Sequence, residues 1–146
     1  MSDPEKWRWK EEDLKPVSWH FDNTCLRFPE RDAQLFNPAL FNNDNKGRFS
    51  WSEVHERAEL ISCALLSYGV KPCERLAIMS ENSPYWTQAD MAICCIRGVS
   101  VTIIPTLSQK ETCYILQDSE SRYLFAGDIR LANKVLENYS ELHKLE

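Results

Sequence analysis

From Arg75 onward, segments of strand length and segments of helix length alternate. "RLAIM" (75–79) is a short, nearly all-apolar run. "YWTQADMAICCIR" (85–97) has the length and spacing of a helix. "VSVTIIP" (99–105) reads as a strand, "SQKETCYILQDSE" (108–120) as a helix, "YLFAG" (123–127) as a strand and "IRLANKVLENYSELHKL" (129–145) as a helix. Strands separated by helices of this length pair in parallel through right-handed crossovers. The strands are short and two of them are nearly all apolar, which implies a sheet covered by helices on both faces. The expected fold is therefore an open, doubly wound, mostly parallel α/β sheet flanked by helices.

Boundary residues support the same segmentation. Ser83 is an N-cap ahead of Pro84 at the first helical position. Ser108 with Glu111, and Ser50 with Glu53, form Ser-x-x-Glu capping boxes, in which each side chain satisfies a backbone N–H of the helix start. Asp128 is placed to cap the final helix, with Leu131, Val135, Leu136 and Tyr139 on its apolar side. "SWSEVHERAELISCALLSYG" (50–69) is expected to be a helix with Val54, Ala58, Ile61, Leu65 and Tyr68 on one face, closed by Gly69 as a left-handed cap. Upstream, Phe21, Cys25 and Phe28 recur at helical spacing until Pro29. Ala33–Phe36 and Arg48–Ser50 then read as a small N-terminal β-hairpin around the turn-forming "NNDNKG" (42–47). Residues 1–20 are assigned to an N-terminal arm and 21–146 to one α/β subdomain.

The 146 residues carry a formal charge of -5 without a Lys/Arg block, so a phosphate-backbone partner is excluded as the main one and no nucleic acid is expected. No apolar stretch approaches the roughly 20 residues that span a bilayer, and the N-terminus has no apolar signal core. The expected location is cytoplasmic. Cys25, Cys63, Cys73, Cys94, Cys95 and Cys113 show no Cys-x-x-Cys spacing and no histidine at metal-ligand spacing. They are read as reduced thiols, with Cys63, Cys94 and Cys95 on apolar helix faces. A vicinal Cys94–Cys95 redox pair is the competing interpretation. His55, in the first turn of its helix, is read as solvated. Trp7 and Trp9 belong to the arm, which is expected to pack its tryptophans on the body of the protein. Glu11, Glu12 and Asp13 weigh against a membrane-surface role, because interfacial helices favour a cationic polar face.

Ligands of open parallel sheets gather beyond the carboxyl ends of the strands. Two loops qualify: "SENSPYW" after Met79 and "PTLS" after Ile104. They nominate Asn82, Tyr85, Trp86 and Thr106 as pocket-rim residues, although Pro84 and Ser108 are equally explained as helix starters. The sequence carries no Gly-rich phosphate loop, no Gly-x-Ser-x-Gly elbow and no His-Glu-x-x-His. No catalytic, cofactor-binding or metal residue is nominated.

An ordered string of motifs adds a family. "SWSE" (50–53), Gly69-Val70, "CERLAI" (73–78), Asn82-Ser83-Pro84-Tyr85-Trp86 and Gly98 through Pro105 resemble the N-terminal part of the AMP-forming acyl-CoA synthetases, the adenylate-forming superfamily. "RGVSVTIIPTLS" followed by "YILQDSESRYLF" is most similar to the long-chain fatty acid–CoA ligases. Cys73-Glu74 departs from the family's usual Gly-Asp, and Val99 from a common Ala. The resemblance implies ATP, Mg²⁺ and CoA as cofactors of a parent enzyme, a fatty acid substrate, and the remainder of that enzyme as partner. The family's phosphate loop and mobile C-terminal domain have no counterpart among these residues, so the chain by itself is expected to be inactive. An edge strand or apolar face left uncovered implies self-association. A stand-alone binding module and a membrane-docking arm are the other two readings.

Overall fold

The computed structural model describes residues 14–41, 47–138, 140 and 142–145. Strands β3 (Arg75–Met79), β4 (Val99–Ile103) and β5 (Tyr123–Ala126) form a parallel sheet in the order β4-β3-β5. Leu76 to Met79 of the central strand are at most 1% exposed, as its unbroken apolar run requires. Successive side chains point to opposite faces. Ala77 and Met79 pack with Cys113 and Leu116 of α4 (Gln109–Asp118) and with Leu131 and Val135 of α5 (Ile129–Leu136). Leu76 and Ile78 pack on the other face with Leu65 of α2 (Trp51–Ser67) and with Ala89 and Ile93 of α3 (Pro84–Cys95). The sheet is doubly wound.

A third layer lies outside α2 and α3. Helix α1 (Val17–Arg27) and the antiparallel pair β1 (Asp32–Leu35) and β2 (Arg48–Ser50) close over Phe49, Val54, Ala58 and Ala92. Helix α1 begins directly after Pro16, so its first turn comes from the stretch assigned to the arm. Trp7 and Trp9 lie outside the described residues. So do residues 42–46 of the hairpin turn, but Gly47 has φ +73, the left-handed conformation its composition implied. Buried Gln88 donates to Gln34 Oε1 at 3.0 Å, and Gln34 Nε2 donates to the Pro84 carbonyl at 3.1 Å. This pair fixes the hairpin to the start of α3.

Both capping boxes form, with Glu53 N–H donating to Ser50 Oγ at 3.2 Å and Ser108 N–H to Glu111 Oε2 at 2.9 Å. Three helix ends differ from expectation. Helix α2 stops at Ser67, so Tyr68 leaves the core face and is 70% exposed; its carbonyl accepts the Tyr123 hydroxyl instead. Helix α3 stops at Cys95 because Arg97 turns left-handed (φ +63) and Gly98 N–H returns to the Ile93 carbonyl at 2.8 Å. A Cβ on Gly98 would stand 2.9 Å from Ile93 Cγ2 and 3.1 Å from Leu76 Cδ1, so this glycine serves close approach. Helix α5 stops at Leu136, which is exposed, and Leu142 folds back to complete the core in its place. Tyr139 lies outside the described residues. Phe28 sits beyond α1, covered by the guanidinium groups of Arg27 and Arg31 at 5.3 and 4.7 Å.

The six cysteines are free. Cys25 and Cys113 are the buried ones, whereas Cys63 and Cys95 are exposed and Cys94 is half-buried. Cys63, Cys94 and Cys95 therefore do not form a core face, because they occupy the outward side of α2 and the end of α3. Cys73, where the family usually has glycine, has φ +68. A side chain in that region costs about 1–2 kcal/mol, partly offset by the extra unfolded-state freedom of glycine. Cys73→Gly is expected to leave stability equal or slightly higher in urea unfolding; clear destabilisation would contradict this backbone geometry.

Candidate functional site

Helix α3 leaves β3 on one face of the sheet and α5 leaves β5 on the other. The strand order therefore reverses between β3 and β5, and the helices that follow their carboxyl ends depart to opposite faces at the switch point. A cleft of about 600 Å³ opens there. Its floor is Ser80 and Gly127, which follow the two strands directly. Gly127 N–H donates to the Met79 carbonyl at 2.9 Å, and a Cβ on Gly127 would meet the Ser80 Cβ at 2.7 Å and Cα at 3.0 Å. Tyr85 and Trp86 form one wall from the first turn of α3, and Phe125 lines the base. Phe41, carried by the 3₁₀ turn Pro38–Leu40 of the hairpin connection, packs edge-on against Tyr85 at 6.1 Å. The hairpin thereby supplies a wall to the cleft.

Among the described residues, two carboxylates, Glu81 and Asp128, and no cationic side chain line this cleft. Asp128 Oδ1 accepts from Leu131 N–H at 2.8 Å, and Arg130 Nη2 stands 3.4 Å from Oδ2. The backbone bond first, then the arginine, hold the Asp128 carboxyl below its ordinary range. Glu111 is likewise held low by the Ser108 hydroxyl and backbone N–H. Both acids have folded-state values below their unfolded ones. Their stabilisation is complete above the ordinary carboxylate range and is lost as pH falls through the lowered folded values. Thermal melting should therefore decline at acid pH, and Glu111→Gln should weaken that decline while lowering the melting temperature at pH 7. An unchanged acid slope would rule out these caps as its source.

The four nominated rim residues separate into three places. Tyr85 and Trp86 line the cleft. Asn82 opens onto an adjoining depression with Phe41, Ser83 and Thr87. Thr106 is exposed on the loop beyond β4, on the far side of β3 from the cleft. Lys134 of α5 fastens that loop, donating to the carbonyls of Pro105 and Leu107 at 2.8 and 2.7 Å. The β5 loop, Gly127-Asp128, was missed in the sequence. The signal was present as a strand end followed by a capped helix, but strand order, which chain order does not reveal, decides which loops meet.

Elsewhere, His55 is partly buried rather than solvated. It stacks on Phe21 at 5.8 Å and lies 3.4 Å from Asp22 and 3.7 Å from Glu59. Desolvation, then the Asp22 carboxylate, push the thiols of Cys25 and Cys95 up to about 11. Cys94 is raised by desolvation and Asp90. Such thiols carry little thiolate at neutral pH, which weighs against a reactive Cys94–Cys95 pair. Among the described residues, no three His, Cys, Asp or Glu side chains converge as metal ligands, and no helix is long and apolar enough to cross a membrane.

A parallel three-stranded layer, helices on both its faces and a cleft at its switch point define an open, doubly wound α/β fold. The chain belongs to the AMP-binding enzyme family, which it matches over residues 21–146. It is 28% identical over 120 residues to 4-hydroxybutyrate–CoA ligase 2 of Metallosphaera sedula, covering 82% of this chain and 22% of that one. It is 36% identical over 92 residues to the long-chain-fatty-acid–CoA ligase FadD15 of Mycobacterium bovis, covering 60% of this chain and 15% of that one. The crystal structure of the anthranilate CoA ligase AuaEII in complex with anthranoyl-AMP superimposes with a TM-score of 0.83 at 20% identity, over 94% of this chain and 26% of that one. The chain thus spans between 15% and 26% of the length of these relatives. Its fold is that of the N-terminal subdomain of adenylate-forming enzymes.

Proposed function

We propose that this chain forms the leading α/β layer of an AMP-forming long-chain fatty acid–CoA ligase. In that reaction a carboxylate oxygen attacks the α-phosphorus of ATP and pyrophosphate leaves, with Mg²⁺ balancing the phosphate charge. The CoA sulfur then attacks the acyl carbonyl and AMP leaves. The carrying observation is the aromatic-walled cleft beyond β3 and β5, which offers an acyl tail apolar contact. The likeness to a long-chain-fatty-acid–CoA ligase supports the choice of substrate. Among the described residues no cation lines the cleft, so on this reading the phosphates and the substrate carboxylate depend on groups supplied by the remainder of the enzyme, and the 146 residues alone are inactive.

Dodecanol has the long tail without the charge, and calorimetry with the purified chain tests the reading. Saturable binding that butanol does not reproduce and that Trp86→Ala weakens is expected. No binding, or equal binding of butanol, would remove the long-chain assignment. AMP release from ATP, CoA and laurate by this chain alone would remove the inactivity.

The competing function is a binding or interaction module without catalysis, with the aromatic cleft holding a ligand or partner. It predicts the same dodecanol binding, with no thioester formed from ATP, CoA and laurate by any protein that carries this chain. A cytoplasmic location fits the free cysteines, and peripheral membrane contact would rest on the arm alone. Self-association is proposed through β4, an edge of the sheet with Val99 46% exposed and Ile104, just beyond the strand, 62% exposed. Sedimentation should show dimers at high concentration, reduced by Val99→Lys; a strictly monomeric profile would end that proposal.

A further inference from the structure

We infer that Phe41 limits the length of the alkyl chain this protein accepts, by closing one end of the switch-point cleft. The inference rests on the acyl role proposed for the cleft and names the residue that sets its reach. Beside the cleft lies a second hollow of about 310 Å³, with Leu35, Phe36, Pro84 and Thr87 in its walls. The two hollows share Phe41 and Ser83. Ser83 is small and is engaged as a helix cap, its Oγ accepting from the Trp86 N–H at 3.2 Å. Among the described residues, Phe41 is therefore the large side chain common to both hollows, and its ring is the partition between them.

The partition is held in place. The Phe41 N–H donates to the Pro38 carbonyl at 3.2 Å, and Asn37 caps the same 3₁₀ turn by accepting from the Ala39 N–H at 3.1 Å. Tyr85 and Phe36 meet the Phe41 ring nearly at right angles, with centres 6.1 and 5.7 Å away. Edge-to-face pairs at such distances add to the stability that burial alone provides. A ring fixed on two flanks acts as a wall for a bound tail. Beyond it, the second hollow is bounded by Gln34, whose amide is bonded to the Pro84 carbonyl and to Gln88. An alkyl chain that passed Phe41 would gain this hollow. Each methylene it buried there would raise affinity about fourfold.

Calorimetry of the full 146-residue chain with 1-alkanols from hexanol to tetradecanol reads the limit directly. Affinity should rise about fourfold per methylene until the tail meets Phe41, and then level off. Phe41→Ala should move the levelling point at least two carbons longer, and Phe41→Trp should move it shorter. The same levelling point in the parent and Phe41→Ala would overturn the inference. So would an equal loss of affinity at every chain length, which would make Phe41 a support of the cleft and not its end, or a parent that shows no levelling over the series. If Phe41→Ala does not fold, Phe41→Trp decides, and an unshifted levelling point there overturns the inference. These results leave the acyl reading intact, whereas no binding of any alkanol by the parent would end that reading and this inference with it.

Discussion

Gly127→Val should destabilise the protein by about 3 kcal/mol, near the upper end for overpacking, and abolish dodecanol binding. The backbone of Gly127 does not have positive φ, so conformational freedom is not at issue. The obstacle is space: the new Cβ would lie 2.7 Å from Ser80 Cβ and 3.0 Å from its Cα, while the Gly127 N–H is tied to Met79. The Ser80 hydroxyl can rotate away, but its Cα cannot, because Ser80 directly follows the central strand. The ends of β3 and β5 must separate, and the cleft floor moves with them. Ser80→Gly should recover part of the stability of Gly127→Ala by removing the nearer of the two clashing carbons, leaving the backbone contact. Urea unfolding of the four variants as a cycle measures this coupling. Simple additivity would mean that the two loops do not touch as described.

The sheet was legible because two of its strands, Arg75–Met79 and Tyr123–Ala126, are nearly all apolar and the helices between the strands carry their own start signals. Ser50, Ser83, Ser108 and Asp128 all cap the helices they precede. Helix ends were less legible. Tyr68, Leu136 and the stretch Ile96–Gly98 continue an apolar helical pattern past the point where the chain turns, since termination here is set by left-handed residues and tertiary returns rather than by proline. The cleft was half legible. Tyr85 and Trp86 follow from the Ser83-Pro84 helix start, whereas Thr106 was nominated by a rule that treats every strand end alike. With β5 beside β3, across from β4, Gly127 and Asp128 line the cleft and Thr106 lies away from it. The role of the hairpin was not legible at all, because nothing local in Phe41 signals that it will face Tyr85.

Phe49→Ala is the sharpest probe of that hairpin. Phe49 is fully buried, its ring centre lies 5.0 Å from that of Phe36, and the Arg57 guanidinium covers it at 4.5 Å. Truncating a core phenylalanine costs about 3–5 kcal/mol, a large part of the roughly 5–15 kcal/mol that holds a domain folded. The expected fall in Tm is on the order of 10–15 °C for a chain of this size. The effect should also reach the cleft. Phe36 packs between Phe49 and Phe41, with Phe36 and Phe41 at 5.7 Å, and Phe41 leans on Tyr85. A row of aromatic rings thus connects the outer layer to the cleft wall, and removing its innermost member frees Phe41 to move. Phe49→Leu keeps most of the buried volume and should retain most of the stability while still weakening dodecanol binding, since a leucine cannot reproduce the ring contact that holds Phe36. If Phe49→Leu bound dodecanol as the parent does, the row of rings would not position the wall, and Phe49 would matter to folding alone.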